Sequence, residues 1–132
     1  MYKILSKIAA ILAFIIGAMA IFAGGKVLLG QMPDYYVIGW LPIYNFTVGV
    51  ITVSVTAILI WKNNPFALPA AVATLSVHVL VMMIIQSIYG NVVARESTTA
   101  MTVRIVAWII ILALLLVRQR YIRNFSSKES PD

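Results

Sequence analysis

Four long apolar stretches, separated by short polar segments, dominate the pattern of this chain. They cover about residues 4–23, 42–61, 66–89 and 98–117. The longest of the four, from Phe66 to Tyr89, carries no charge and would make a helix of roughly 36 Å. Because the hydrocarbon core of a bilayer is about 30 Å thick, such a helix can cross it with some tilt. The pattern therefore predicts an all-α polytopic membrane protein, an antiparallel bundle of four transmembrane helices.

Composition supports a membrane protein over a soluble domain. The chain has 132 residues, of which 62% are hydrophobic and 11% charged, and its mean hydropathy is +0.99. Soluble domains are nearer half apolar and a quarter charged, and a domain of this length cannot bury four long apolar runs. We expect a single domain over residues 1–124 and a flexible tail over 125–132. The absence of cysteine excludes disulfides and thiolate chemistry.

The first stretch has some features of a cleaved signal peptide. Lys3 and Lys7 precede it, and Ala18-Met19-Ala20 has the small-x-small form of a cleavage site. The apolar run nevertheless continues through Ile21 and Phe22, past that site. We therefore expect a retained transmembrane helix.

The fourth stretch is short for a span. Its uncharged part, from Ile105 to Val117, would make a helix of only about 20 Å. The helix must therefore begin near Ser97 or Thr98 and carry Arg104 below the membrane surface. The basic tail that starts at Arg118 is expected to fray.

The distribution of lysine and arginine predicts topology. The net charge is +6, and seven of the ten basic residues lie on the side of the predicted termini. The positive-inside rule then places both termini in the cytoplasm. Basic residues at helix ends also contact anionic lipid headgroups, so the charge does not indicate nucleic-acid binding.

Three helices carry stripes of small or polar residues, spaced by four, three and four and hence on one face. The stripes are Ala13, Gly17, Ala20 and Gly24; Asn45, Gly49, Thr52 and Thr56; and Ala67, Ala71, Thr74 and His78. Close backbone approach and interhelical hydrogen bonds hold transmembrane helices together. We expect the stripes to face one another, as packing surfaces more than as a pore or ligand groove. The fourth helix lacks such a stripe and is expected to be the most lipid-exposed.

His78 is predicted to lie near the middle of the membrane. Ionisable groups at that depth are functional candidates, although a hydrogen-bonded packing histidine is an equal alternative. Thr52 or Thr56 could bond its ring. As the only histidine, it cannot ligate haem with a second histidine of the same chain. No carboxylate lies within an uncharged span, so no zinc or di-iron site is expected.

A second polar group is predicted at the end of the bundle opposite the termini. Arg104 could offer several donors to an anionic or carbonyl ligand in an outward-facing pocket. Asn45, Gln86, Glu96 and Thr102 fall at nearby depths. Two alternatives give Arg104 no ligand: its side chain reaches the headgroups, or it pairs with Glu96. No acidic residue is placed to orient His78 for catalysis.

Several stretches resemble the DoxX-like group of small bacterial four-helix membrane proteins. They are IFAGGKVLLG, which ends the first helix, the second hairpin from YNFTVGV to LSVHVL, and AMTVRIVAW in the last helix. The resemblance implies a four-helix fold in a bacterial inner membrane and brings no catalytic motif. Some members of the group are associated with quinone-linked oxidation or redox stress.

These observations favour a small, non-enzymatic membrane protein. It would bind an apolar or amphipathic molecule, or a partner membrane subunit, between its helices, with the polar end of the ligand near Arg104, Asn45 and Gln86. No cofactor is required, but an alternative is a redox accessory subunit that holds quinone near His78 and Arg104. A further alternative is transport or conduction by a homo-oligomer, although coupled transporters commonly carry several buried charges.

Overall fold

The structure, a computed structural model, describes residues 2–129. Its four long helices are Tyr2–Leu28, Leu41–Trp61, Ala67–Ser87 and Arg95–Glu129. Each is long and apolar enough to cross a membrane, and the described residues contain no strand. The predicted all-α, four-helix membrane fold is therefore confirmed.

Contacts between the first two helices show that they run antiparallel. Lys7 near the start of the first helix donates a hydrogen bond of 3.2 Å to the carbonyl of Trp61 at the end of the second. Gly24, near the end of the first helix, lies against Pro42 at the start of the second. The third and fourth helices are also antiparallel, because Gln86 at the end of the third donates a hydrogen bond to Thr98 at the start of the fourth. Both described ends of the chain thus lie at one end of the bundle, here called the terminal end; the other is called the far end.

Glycines allow the first two helices to approach each other closely. A Cβ added to Gly24 would lie 2.5 Å from the carbonyl oxygen of Pro42, and one added to Gly49 would lie 2.7 Å from that of Gly17. Cβ atoms do not occur at such distances from backbone atoms, so only glycine permits this separation. The predicted contact between the first two stripes is confirmed.

We expected the fourth helix, which lacks a stripe of small residues, to be the most lipid-exposed. The structure shows that it is not. In its most apolar window 28% of residues are buried, against 22% for the third helix. Its buried face consists of larger side chains and packs on the first and third helices: Met101, Arg104, Trp108, Ile111 and Leu115. Helices in a bilayer can therefore pair through bulky residues where small ones oppose them, here Ala9, Ala10 and Ala13.

The fourth helix is also longer than predicted. It begins at Arg95 and continues to Glu129, whereas we expected it to begin near Thr98 and its tail to fray from Arg118. No glycine or proline lies between Arg95 and Pro131, so no residue in this range breaks the helix. Residues 130–132 of the predicted tail lie outside the described residues.

The second helix contains one feature that the sequence did not predict, a π-helical segment at Thr52–Thr56. The side chains of Thr52 and Val53 lie directly against Gly17 of the first helix. In the same segment the Ser54 hydroxyl donates to the carbonyl of Val50. The wider turn lies at the middle of the closest helix pair.

Candidate ligand site

The Arg104 side chain points into the bundle. Only 7% of this residue is exposed, although it lies about 14 Å along an apolar helix that begins at Arg95. Its Nη1 donates a hydrogen bond of 2.6 Å to Oδ1 of Asn45 on the second helix. Nη1 also lies 4.0 Å from the sulfur of Met101, one turn earlier. The alternative in which Arg104 reaches the headgroups is therefore not what the structure shows.

No carboxylate pairs with Arg104 within the described part of the chain. Glu96 was the predicted alternative partner, but it forms no ion pair with Arg104 and its side chain is exposed. The hydrogen bonds found in residues 2–129 use only Nη1, which leaves Nε and Nη2 without a protein acceptor. A buried charge without a partner is strongly destabilising. An acceptor from outside the chain would relieve that cost.

A cavity of about 60 Å³ lies beside the guanidinium. Arg104 and Asn45 supply polar groups on the helices, and Glu96, Ser97 and Tyr35 lie nearer the far end. Most of the remaining wall is apolar and includes Ala23, Val27, Val37 and Leu41. A water requires about 10–15 Å³ of such volume, so the cavity has room for on the order of four waters. That size fits a carboxylate or carbonyl group.

His78 is hydrogen-bonded, but not by the residues we predicted. The Tyr44 hydroxyl lies 2.6 Å from Nδ1 of His78, whereas Thr52 or Thr56 was expected there. The prediction was wrong because the side chain of Thr52 packs on Gly17 of the first helix instead. His78 is 2% exposed, and its ring centroid lies 6.4 Å from that of Trp108. Neither His78 nor Tyr44 lines the cavity.

Two further predicted residues lie outside the cavity. Gln86 is exposed and donates a hydrogen bond of 3.1 Å to the Thr98 hydroxyl, which joins the third and fourth helices. Thr102 is also exposed, and its hydroxyl donates to the carbonyl of Thr98 in its own helix. The structure thus brings together Arg104, Asn45 and Glu96 at the cavity and leaves these two at the surface.

Sequence reasoning missed that the connection between the first two helices contributes to the site, through Tyr35 and Val37. Ile38, in the connection between the first two helices, is 1% exposed and packs with Met101 in a small apolar cluster. Next to it, the indole nitrogen of Trp40 donates to the Tyr89 hydroxyl at 3.1 Å. The adjacent apolar pair Val37-Ile38 in this connection was the signal available for Ile38.

The described residues contain no cluster of three or more His, Cys, Asp or Glu side chains that could hold a metal ion.

Comparisons of this chain with protein-family models, with curated proteins and with solved structures find no match. The resemblance to the DoxX-like group stays a prediction.

Proposed function

We propose that this protein binds an amphipathic molecule of the membrane whose polar end is a carboxylate or a carbonyl. The polar end would accept hydrogen bonds from Nε and Nη2 of Arg104, and Asn45 would hold the guanidinium in place through Nη1. The cavity holds only this polar end, so the apolar remainder would extend out of it past Ala23 and Val27. Binding without chemical turnover is sufficient for such a site.

One observation carries this proposal: a buried guanidinium has no acidic partner in the described chain and lines a cavity with two donors unused. Hydrogen bonds between an arginine and a carboxylate are charge-assisted and stronger than neutral ones. Glu96 nearer the far end would disfavour a polyanionic headgroup that extended toward it. These features favour a small, singly charged or neutral acceptor.

We further propose a setting for the bundle, in a bacterial inner membrane with both termini in the cytoplasm. The excess of lysine and arginine on the side of the termini supports this orientation. The ligand site would then lie in the outer half of the membrane. A partner membrane subunit or a second copy of the chain could present the polar group in place of a free ligand.

The quinone alternative has weaker support from the geometry. A quinone carbonyl could accept from Arg104, but His78 does not line the cavity and its Nδ1 lies within hydrogen-bond distance of Tyr44. A quinone held by both residues would require Tyr44 to move.

Thermal unfolding in detergent tests the proposal with lauric acid as the probe and lauryl alcohol as its uncharged analogue. We expect the acid to raise the Tm of the wild type, and Arg104→Gln to weaken its apparent affinity by about tenfold, or about 1.4 kcal/mol. Thr102→Ala serves as the matched control because Thr102 is exposed on the same helix. Equal responses of Arg104→Gln and the wild type would rule the site out.

A second variant keeps the test decisive if Arg104→Gln does not fold. Ala100 lines the cavity beside Arg104, so Ala100→Leu would fill part of it and leave the guanidinium intact. We expect this variant to fold and to lose the response to lauric acid. An unchanged response would contradict binding in this cavity.

A further inference from the structure

A second polar cavity lies at the terminal end of the bundle, on the side opposite the Arg104 site. Its volume is about 120 Å³. It lies between the turn that joins the second and third helices and the fourth helix, and six of its lining residues matter here: Asn63, Asn64, Leu68, Leu115, Arg118 and Gln119. No carboxylate is among the residues that line it.

Arg118 is the only charged residue that lines this cavity. Its Nε is buried, without an acceptor, and is not accessible from the cavity. No described residue forms an ion pair or hydrogen bond with the rest of its guanidinium. An anion in the cavity that accepts from Nη1 or Nη2 would make charge-assisted hydrogen bonds and stabilise this conformation.

Carboxamides provide additional donors around the same space. Asn63 adopts a positive φ of 55° in the turn, a conformation that asparagine tolerates better than most residues. Asn64 uses its side-chain oxygen to accept from the Phe66 amide at 2.9 Å, which leaves its NH₂ group available. Gln119 follows Arg118 directly and lines the cavity as well. The cavity therefore offers donors and a positive charge, the combination that an anion requires.

The position of the cavity points to the source of the anion. Arg118 is the first charged residue after the uncharged run that ends at Val117, so it lies where the apolar span meets the headgroup region. Leu68 and Leu115 form the apolar part of the wall. A phospholipid presents a phosphate at that level with acyl chains beside it.

We propose that this cavity binds the phosphate group of an anionic phospholipid, with Arg118 as the main donor and Asn63, Asn64 and Gln119 around it. The volume admits on the order of eight to ten waters, which is enough for a phosphate diester. Binding here is independent of the ligand proposed at Arg104, because about 21 Å of helix separates Arg104 from Arg118.

Native mass spectrometry and thermal unfolding in detergent test the site, with phosphatidylglycerol as the probe and inorganic phosphate as a second arm. We expect Arg118→Gln to reduce retention of phosphatidylglycerol at least fivefold. Arg120→Gln removes the same charge from an exposed neighbour outside the cavity and should leave retention near the wild-type value. An equal loss of phosphatidylglycerol in both variants would mean that net charge alone attracts the lipid, and it would overturn the proposal.

Two further measurements complete the design. Inorganic phosphate should not stabilise the wild type at concentrations at which phosphatidylglycerol does; equal stabilisation would overturn the lipid as the source. If circular dichroism shows that Arg118→Gln does not fold, Asn63→Gly tests the site instead. Glycine keeps the positive φ of the turn and removes the carboxamide from the cavity. A two- to threefold drop in retention is expected, and no drop would refute the site. The response to lauric acid should persist in every variant of this cavity.

Discussion

The hydroxyl of Tyr44 lies 2.6 Å from Nδ1 of His78, so a hydrogen bond inside the bundle joins the second helix to the third. The two rings meet edge to face, with centroids 5.9 Å apart. Trp108 of the fourth helix lies on another side of the imidazole, at 6.4 Å. This arrangement gives one nitrogen of a buried polar ring a partner and brings residues of three helices together around it.

We expect Tyr44→Phe to destabilise the bundle, because it leaves Nδ1 of His78 without a partner while keeping the ring packing. Hydrogen bonds between transmembrane helices contribute about 0.5–2 kcal/mol. A double-mutant cycle with His78→Phe, measured by denaturant unfolding in micelles, should give a coupling energy in that range. Tyr36→Phe, at an exposed position in the first connection, should be neutral. Additive effects of the two substitutions would show that the bond contributes nothing.

Two adjacent glycines of the first helix should respond in opposite ways to alanine. A Cβ at Gly24 would lie 2.5 Å from Pro42 O and 2.7 Å from Phe46 N, both backbone atoms, whereas a Cβ at Gly25 would approach only the Phe46 ring, at 3.7 Å. Overpacking costs about 1–3 kcal/mol, while alanine gains up to about 1 kcal/mol over glycine in a helix.

We therefore expect Gly24→Ala to lower the Tm and Gly25→Ala to leave it unchanged or raise it. Thermal unfolding of both variants in the same detergent makes the comparison direct. A Gly24→Ala protein as stable as Gly25→Ala would mean that the first two helices are farther apart than the structure shows.

Lys7 should stabilise the hairpin of the first two helices at the terminal end. Its Nζ lies 3.6 Å from the centre of a Trp61 ring and donates to the carbonyl of the same residue. A cation–π contact is worth about 0.5–1 kcal/mol when exposed. We expect Lys7→Gln to reduce stability by about that amount and to shift tryptophan fluorescence. Lys3→Gln, at an exposed position in the same helix, is the control and should do neither.

Both described ends of the chain should be accessible from one side of the membrane. Because the natural sequence contains no cysteine, single cysteines can report topology without removal of native thiols. Residues 3, 63 and 126 should react with an impermeant maleimide from one side, and residues 31 and 91 from the other. Labelling of residues 3 and 126 from opposite sides would contradict the number of spans.

The four spans, and the helix faces that could pair, follow from the sequence alone. Run length and hydropathy are local properties, so the four helices followed from them, and so did the entry of Arg104 into the fourth span. The spacing of Gly17, Gly24 and Gly49 follows helical periodicity, and it correctly indicated that the first two stripes face each other.

Which polar groups meet depends instead on how the helices pack in three dimensions. Helical periodicity does not specify the axial register or rotation of one helix against another, since many contacts along each pair set both. That register placed Tyr44, and not a threonine, beside His78, and it placed Asn45, and not Glu96, beside Arg104. It also buried a bulky face of the fourth helix against alanines of the first. The sequence pattern of small residues had pointed that helix toward lipid.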